Sequence, residues 1–220
     1  MMPRLARVVV PNVPHHVTQR GNRRQRTFFQ DSDYDLYKHL MAAWCSRRQV
    51  AVWAYCLMPN HVHLILTPKD PKGLARTVGE AHRRYTLTVN TREGWRGYFW
   101  QGRFASFPMD PAHLMNAVRY VLLNPVRAGL ARKATDWQHS SARAHLVGSR
   151  DRLVDPVPLG DRITEWDDLL RPEGSQLDLE QFHRHERTGR PMGDDQFVGD
   201  LETLLGRCLR PQKVGRKPRT

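Results

Sequence analysis

The sequence predicts an α+β fold: a ferredoxin-like antiparallel sheet with helices on one face, followed by a small helical C-terminal extension. Three observations carry this. The hydrophobic runs come in the order strand, helix, strand, strand, helix, strand, which is the split βαβ pattern. Two β-rich runs, 50–58 and 61–66, are separated only by Pro59 and Asn60, so they form a hairpin. After His145 the texture changes to "LVGSRDRLVDPVPLGDR", rich in Gly, Pro and charge, as in a linker. The expected division is 1–146 for the main domain, 147–180 for a linker and 181–220 for a helical extension with a basic tail.

Each element has a local reason. "HHVTQRG" reads as a strand in which Val17 faces one way and His16 and Thr18 the other. Gly21-Asn22 then turns the chain into an arginine cluster. Leu36, Tyr37, Leu40, Met41 and Trp44 recur at helical spacing, and Asp31, Asp33 and Asp35 supply cap and first-turn acids. The hairpin follows. A second helix is expected over 73–90, burying Leu74, Val78, Ala81, Tyr85 and Val89. "GYFWQGRFASFP" is aromatic and β-like. Asp110-Pro111 is a cap and first-turn start for a third helix, expected over 113–124, which packs near the sheet. In the extension, Phe197, Leu201, Leu204 and Leu205 recur at helical spacing.

Charge narrows the partners. The 220 residues carry 35 Lys and Arg against 22 Asp and Glu, a formal net charge of +13. Arginines load the N-terminal end, and Arg207, Arg210, Lys213, Arg216, Lys217 and Arg219 load an acid-free tail. This is the footprint of a polyanion binder, most commonly a nucleic-acid binder. No basic amphipathic helix with aromatic anchors favours a membrane surface. Three cysteines without a CxxC pair argue against a disulfide framework or zinc knuckle and for a reducing compartment. The apolar run before Pro11 is too short for a signal peptide or span, so the expectation is a cytoplasmic protein.

The chemistry-bearing residues sit in two stretches. In "MPNHVHLIL", His61 and His63 share one face of a strand, and Val62, Leu64 and Leu66 share the other. The pair is either polar surface on a wet sheet face or a site for one cation or phosphate. In "RYVLLNPVRAGL", Tyr120 and Asn124 are four apart and adjacent on a helix flank. Tyr120 is then either a half-buried tyrosine beside a capping Asn124 or a nucleophile beside an amide ligand. Pro125 disfavours helical geometry at Asn124.

Taken together with "HVTQRGN", "FWQGRF" and "TGRPMGDDQFV…LETLLGR", these two stretches resemble the single-tyrosine HUH transposases, and more narrowly the REP-associated tyrosine transposases of bacteria. The resemblance covers nearly the whole chain. It implies that His61 and His63 are metal ligands, Asn124 is the third ligand and Tyr120 is the nucleophile. It implies Mg²⁺ or Mn²⁺, and cleavage of single-stranded DNA beside an imperfect, REP-like hairpin through a 5′-phosphotyrosine. Monomer and homodimer are both open.

Expected DNA contacts are Arg20, Arg23, Arg24 and Arg26 after the first strand; Trp100, with Phe99 and Phe104, for base stacking; and Gln101 and Arg103 for the backbone. Arg119 is a candidate phosphate clamp, and Arg127 a residue that shapes its loop. Two rivals remain: a hairpin-binding regulator with an idle site, and a 2H-type phosphoesterase, for which His16-Val17-Thr18 supplies one motif and His61-Val62-His63 breaks the other.

Overall fold

The computed structural model describes residues 6–171 and 179–211. The chain runs through β1 (His15–Arg20), α1 (Asp31–Arg47), β2 (Val50–Met58), β3 (His61–Pro68), α2 (Gly73–Glu93), β4 (Ala105–Pro108), α3 (Pro111–Leu122) and α4 (Asn124–Arg127). Beyond these lie α5 (Ala142–Val147), α6 (Val157–Gly160), α7 (Trp166–Leu169), α8 (Leu179–Thr188) and α9 (Asp195–Leu205). The four strands pair in the order β2-β3-β1-β4, all antiparallel, which is the ferredoxin-like topology the element order implies.

Both faces of this sheet are buried. Val17, Leu57, Val62, Leu64 and Leu66 face one cluster with Tyr37 and Met41 of α1 and Leu74, Val78 and Tyr85 of α2. The crossover helices therefore share one face, as expected. Cys56, Met58, Ile65 and Phe107 face the other cluster, with Leu114, Ala117 and Val121 of α3 and Phe182 of α8. A bulge between Val52 and Ala54 lets β2 keep an apolar residue toward both layers. Burying one large apolar side chain is worth about 1.5–3 kcal/mol, so either layer alone would be a substantial core.

Two expectations change in detail. The aromatic run expected as a long strand is extended only over Ala105–Pro108. Gly97 and Gly102 take positive φ (95° and 66°), which breaks the pleat before it. The third helix starts on the expected cap, where Asp110 accepts from the His113 amide, but it ends at Leu122. Leu123 caps α3 at φ −86°, ψ 0°, and Pro125 sits in the first turn of α4, where its missing N–H is tolerated.

The segment expected as an open linker carries Leu153, Val154, Leu159 and Ile163, all buried against the two sheet clusters. In α9, Leu201 is buried with Val8, Val10 and Leu209, while Leu204, expected on that face, is 65% exposed. Most of the expected disordered basic tail, from residue 212 on, lies outside the described residues.

Candidate active site

The register of β1 on β3 builds the floor of the site. His63 pairs with Thr18 and His61 with Arg20, while His16 pairs with Ile65. His16 therefore shares the face of His61 and His63, diagonally across from His63. The His61 and His63 rings lie 4.9 Å apart and those of His16 and His63 5.2 Å. His16 Nε2 and His63 Nδ1 share a hydrogen bond of 3.0 Å. Asn60 Oδ1 accepts from His61 Nδ1 at 2.6 Å. The Nδ1 atoms of His61 and His63 are thus both held inside the protein, which leaves the Nε2 of each as the nitrogen for a ligand.

α3 lays Tyr120 over this floor, with its ring 5.3 Å from that of His63. Asn124, buried at the start of α4, hydrogen-bonds the Tyr120 side chain. Arg127 lies over the Tyr120 ring with its Cζ at 4.4 Å and donates to the Tyr120 carbonyl, so it fixes the tyrosine from behind. From the other side, Phe182 of α8 lies 4.3 Å from the Tyr120 ring, and Tyr120 is only 6% exposed. His183 Nδ1 bonds Glu186 Oε2 at 3.0 Å. Glu186 Oε1 stands 3.9 Å from both His16 Nδ1 and His63 Nδ1. His16, His63 and Glu186 offer ligand atoms within 4.8 Å of one another, a group that could hold a metal ion.

Burial sets the electrostatics. It pushes His16 down to about 3, helped by the charge of His183. It pushes His61 down to about 4, helped by Arg20. His63 falls well below the usual histidine range, first through burial and then through His61 and His16. All three are neutral imidazoles at neutral pH, the form that ligates metals. Burial, then the Glu186 carboxylate, pushes the Tyr120 phenol up to about 12 against Arg127, Arg20 and the Asn124 hydrogen bond. Burial also raises Glu186, with the His183 hydrogen bond opposing it.

A cleft of about 390 Å³ opens on this group, lined by His63, Tyr120, Glu186 and Arg187 and, among the expected DNA contacts, by Arg20, Gln101 and Arg103. His61 and Asn124 lie beside it rather than in its lining. Arg23, Arg24 and Arg26 are exposed on the turn after β1, outside that lining.

Two expected contacts are corrected. Trp100 is 8% exposed and stacks on His82 at 4.5 Å, and Phe99 is 2% exposed; both are core, because this aromatic run folds back between α1 and α2. Arg119 is buried, donates to the Arg171 carbonyl at 2.5 Å and does not line the cleft.

The groups that sequence reasoning missed are Asn60, Phe182, His183, Glu186 and Arg187, together with His16 as a partner of His63. His16 had a signal: its strand face. The α8 residues had only helical spacing, which does not say where a helix docks.

A basic α+β domain with a tyrosine beside a histidine-bearing sheet is thus defined by fold and cleft. The chain belongs to the IS200-like transposase family, whose family model matches residues 9–123. It is 22% identical over 120 residues to a REP-associated tyrosine transposase of Escherichia coli, a match covering 54% of this chain and 70% of that protein. It is 26% identical over 108 residues to a putative REP-associated tyrosine transposase of Haemophilus influenzae, covering 44% of this chain and 61% of the relative. A solved structure of a REP-associated tyrosine transposase bound to a REP hairpin superposes with a TM-score of 0.58 at 21% identity. That match covers 70% of this chain and 92% of the other, and it shows a shared fold.

Proposed function

We propose that this transposase is a metal-dependent, HUH-type single-stranded DNA nickase and strand transferase. It acts beside a REP-like hairpin through a 5′-phosphotyrosine on Tyr120. The observation that carries the reading is the Tyr120 ring over the His61–His63 strand face, with Asn124 bonded to the Tyr120 side chain. The hairpin-bound structural neighbour supports the choice of substrate. Under this reading residues 1–146 carry the tyrosine and the histidines, α8 closes the cleft over them, and a DNA substrate agrees with the expected cytoplasmic location. Among the described residues no helix is long and apolar enough to cross a membrane.

The residues fit a divalent cation. His61 and His63 would hold it through Nε2, with the Asn124 amide oxygen as third ligand. The group formed by His16, His63 and Glu186 is the less direct set, because His63 Nδ1 and His16 Nε2 already bond each other. Mg²⁺ and Mn²⁺ both suit an activator of phosphodiesters, and imidazole donors favour Mn²⁺ of the two. When bound, the cation supplies Lewis-acid polarisation of a phosphate oxygen.

The chain does the rest. Arg20, Gln101 and Arg103 line the cleft where the strand would lie. Tyr120 Oη attacks the phosphorus as its phenolic proton leaves. A P–Oη bond forms, the P–O3′ bond breaks, and the 3′-oxygen departs as a hydroxyl. Because the phenol sits near 12, it is protonated at rest, so its proton must leave as the P–Oη bond forms. The reverse attack by a 3′-hydroxyl reseals or transfers the strand.

The test is a denaturing gel of end-labelled single-stranded DNA carrying a REP-type hairpin, with Mn²⁺ or Mg²⁺. A cleaved strand and a covalent adduct are expected, both lost on Tyr120→Phe and with a chelator. A second reading, a hairpin-binding regulator with an idle site, is favoured by one observation: Tyr120 lies covered by Phe182. Hairpin binding without an adduct at any metal concentration would select it.

A further inference from the structure

A second cavity, of about 280 Å³, lies beside the catalytic cleft and plays no part in the reaction above. Its walls come from the turn after β1 (Asn22, Arg23, Gln25), the last turn of α2 (Asn90) and the loop that follows (Trp95, Arg96, Gly97, Tyr98). Its shape is held by side-chain amides. Asn22 Nδ2 donates to the Tyr98 carbonyl at 3.3 Å, Gln25 Nε2 to the Phe99 carbonyl at 3.2 Å, and Asn90 Nδ2 to the Gly97 carbonyl at 3.3 Å. Each amide thus gives an N–H to the same short stretch of backbone.

Each amide keeps its oxygen and a second N–H for other partners. The oxygen of Asn90 is buried without a hydrogen-bond partner, a cost that calls for a donor from outside. Two large aromatics stand at the same cavity: Tyr98 is 90% exposed, and Trp95, 42% exposed, meets Phe29 edge-on. Arg23 and Arg96 line it and no acid does. Arg23 and its neighbour Arg24 are held at positive φ (53° and 61°), a strained conformation for residues with a Cβ.

An aromatic face, an orphaned acceptor and two cations match the three parts of a nucleotide: the flat base, an N–H donor on its edge, and phosphate. The geometry points to a subsite for one unpaired nucleotide, whose base stacks on Tyr98 or Trp95 and gives an N–H to Asn90. Bases with an exocyclic amino group fit best, since the Asn90 oxygen is the acceptor left unpaired.

The cavity and the catalytic cleft are joined by two short chain segments. Arg20 and Gln101 line the cleft, Asn22 and Phe99 line the cavity, and Gln101 N donates to the Arg20 carbonyl as Asn22 N does to that of Phe99. Two residues of extended chain span roughly 7 Å. The captured base therefore lies within a few nucleotides of the scissile phosphate and would set where the strand is cut. This inference rests on the DNA-cleaving reading above.

The experiment uses the full chain and hairpin oligonucleotides with single-stranded flanks, with one abasic site moved along each flank. Affinity is read by fluorescence anisotropy without metal, and the Tyr120 adduct is scored separately with Mn²⁺. We expect one position at which the abasic site weakens binding about tenfold. At that position Tyr98→Ala should weaken the parent strand by a similar factor and make the abasic site silent. Inosine for guanine, or purine for adenine, should reproduce part of the loss there without touching the protein. A flank on which no position couples to Tyr98→Ala, and no amino-group deletion matters, overturns the subsite, while a persisting adduct leaves the nickase reading intact. Failure of the unaltered protein to bind any hairpin strand would remove both.

Discussion

Replacing Asn60 by alanine removes two hydrogen bonds that point in opposite directions. Asn60 Oδ1 accepts from His61 Nδ1 at 2.6 Å, and Asn60 Nδ2 donates to the Arg24 carbonyl at 3.3 Å. The first fixes the tautomer and ring angle of His61; the second anchors the arginine turn. Loss of a partner that orients a metal-binding histidine typically weakens metal affinity by about 10–100-fold. That is about 1.4–2.8 kcal/mol. The Arg24 bond, neutral and partly exposed, adds about 1 kcal/mol to the turn and nothing to the metal.

Mn²⁺ titration followed by the electron paramagnetic resonance of the free ion reads the first quantity directly, with circular dichroism to confirm the fold. Asn60→Asp separates the two bonds, because a carboxylate still accepts from His61 Nδ1 but cannot donate to Arg24. It should retain Mn²⁺ and lose part of the hairpin affinity. Asn60→Ala binding Mn²⁺ as tightly as the parent would refute the claim that Asn60 positions a ligand.

Three further outcomes are expected. Arg92→Leu strands Asp33, which is 1% exposed at its side chain and takes two bonds from Arg92, at a cost of about 2–3 kcal/mol in urea unfolding, the one-third exposure of Arg92 holding the value down. Burial alone would raise the Asp33 carboxyl, but the Arg92 hydrogen bond, the Phe29 and Gln30 amides and the Arg92 charge hold it below its ordinary value. The stability it adds is thus full at neutral pH and lost as pH falls through the lowered range, and Arg92→Leu should flatten that acid limb. Phe182→Ala removes a fully buried ring packed on Tyr120, His16 and Phe107, and should cost about 3–5 kcal/mol in global unfolding; a loss below about 1 kcal/mol would mean that α8 does not dock on the sheet. At Gly21→Ala the new Cβ would overlap the Gln25 carbonyl and lie 2.8 Å from Thr27 Cγ2, so the arginine turn must move, and hairpin affinity should fall several-fold with little change in Mn²⁺ binding.

The sheet was legible because its signals are local. Period-two alternation in "HVHLIL" and a two-residue turn suffice to pair β2 with β3, and the fold order follows. Tyr120 and Asn124 were legible as helix neighbours, although Pro125 divides their helix into α3 and α4. Trp100 misled because exposure cannot be read from composition: a Gly-bounded aromatic run serves stacking and core equally well, and here Phe99 and Trp100 turn inward while Tyr98 turns out. Arg119 misled because adjacency to Tyr120 in sequence places it about 100° away around the helix. Glu186 was invisible, since its place depends on a helix returning across β4 from far along the chain.

That return changes what the site is. The strand face that bears His61 and His63 would be wet in a sheet covered on one side only, and its imidazoles would titrate near neutral pH. α3 and α8 cover it instead. Burial then holds the histidines neutral and pushes the Tyr120 phenol up to about 12. The same packing thus keeps the imidazoles unprotonated and the phenol protonated. Arg127 and Arg20 already oppose the rise in the phenol, and the cleft in front of it is lined by Arg20, Arg103 and Arg187. Under the reading proposed above, the phenol therefore gives up its proton only as the bond to phosphorus forms.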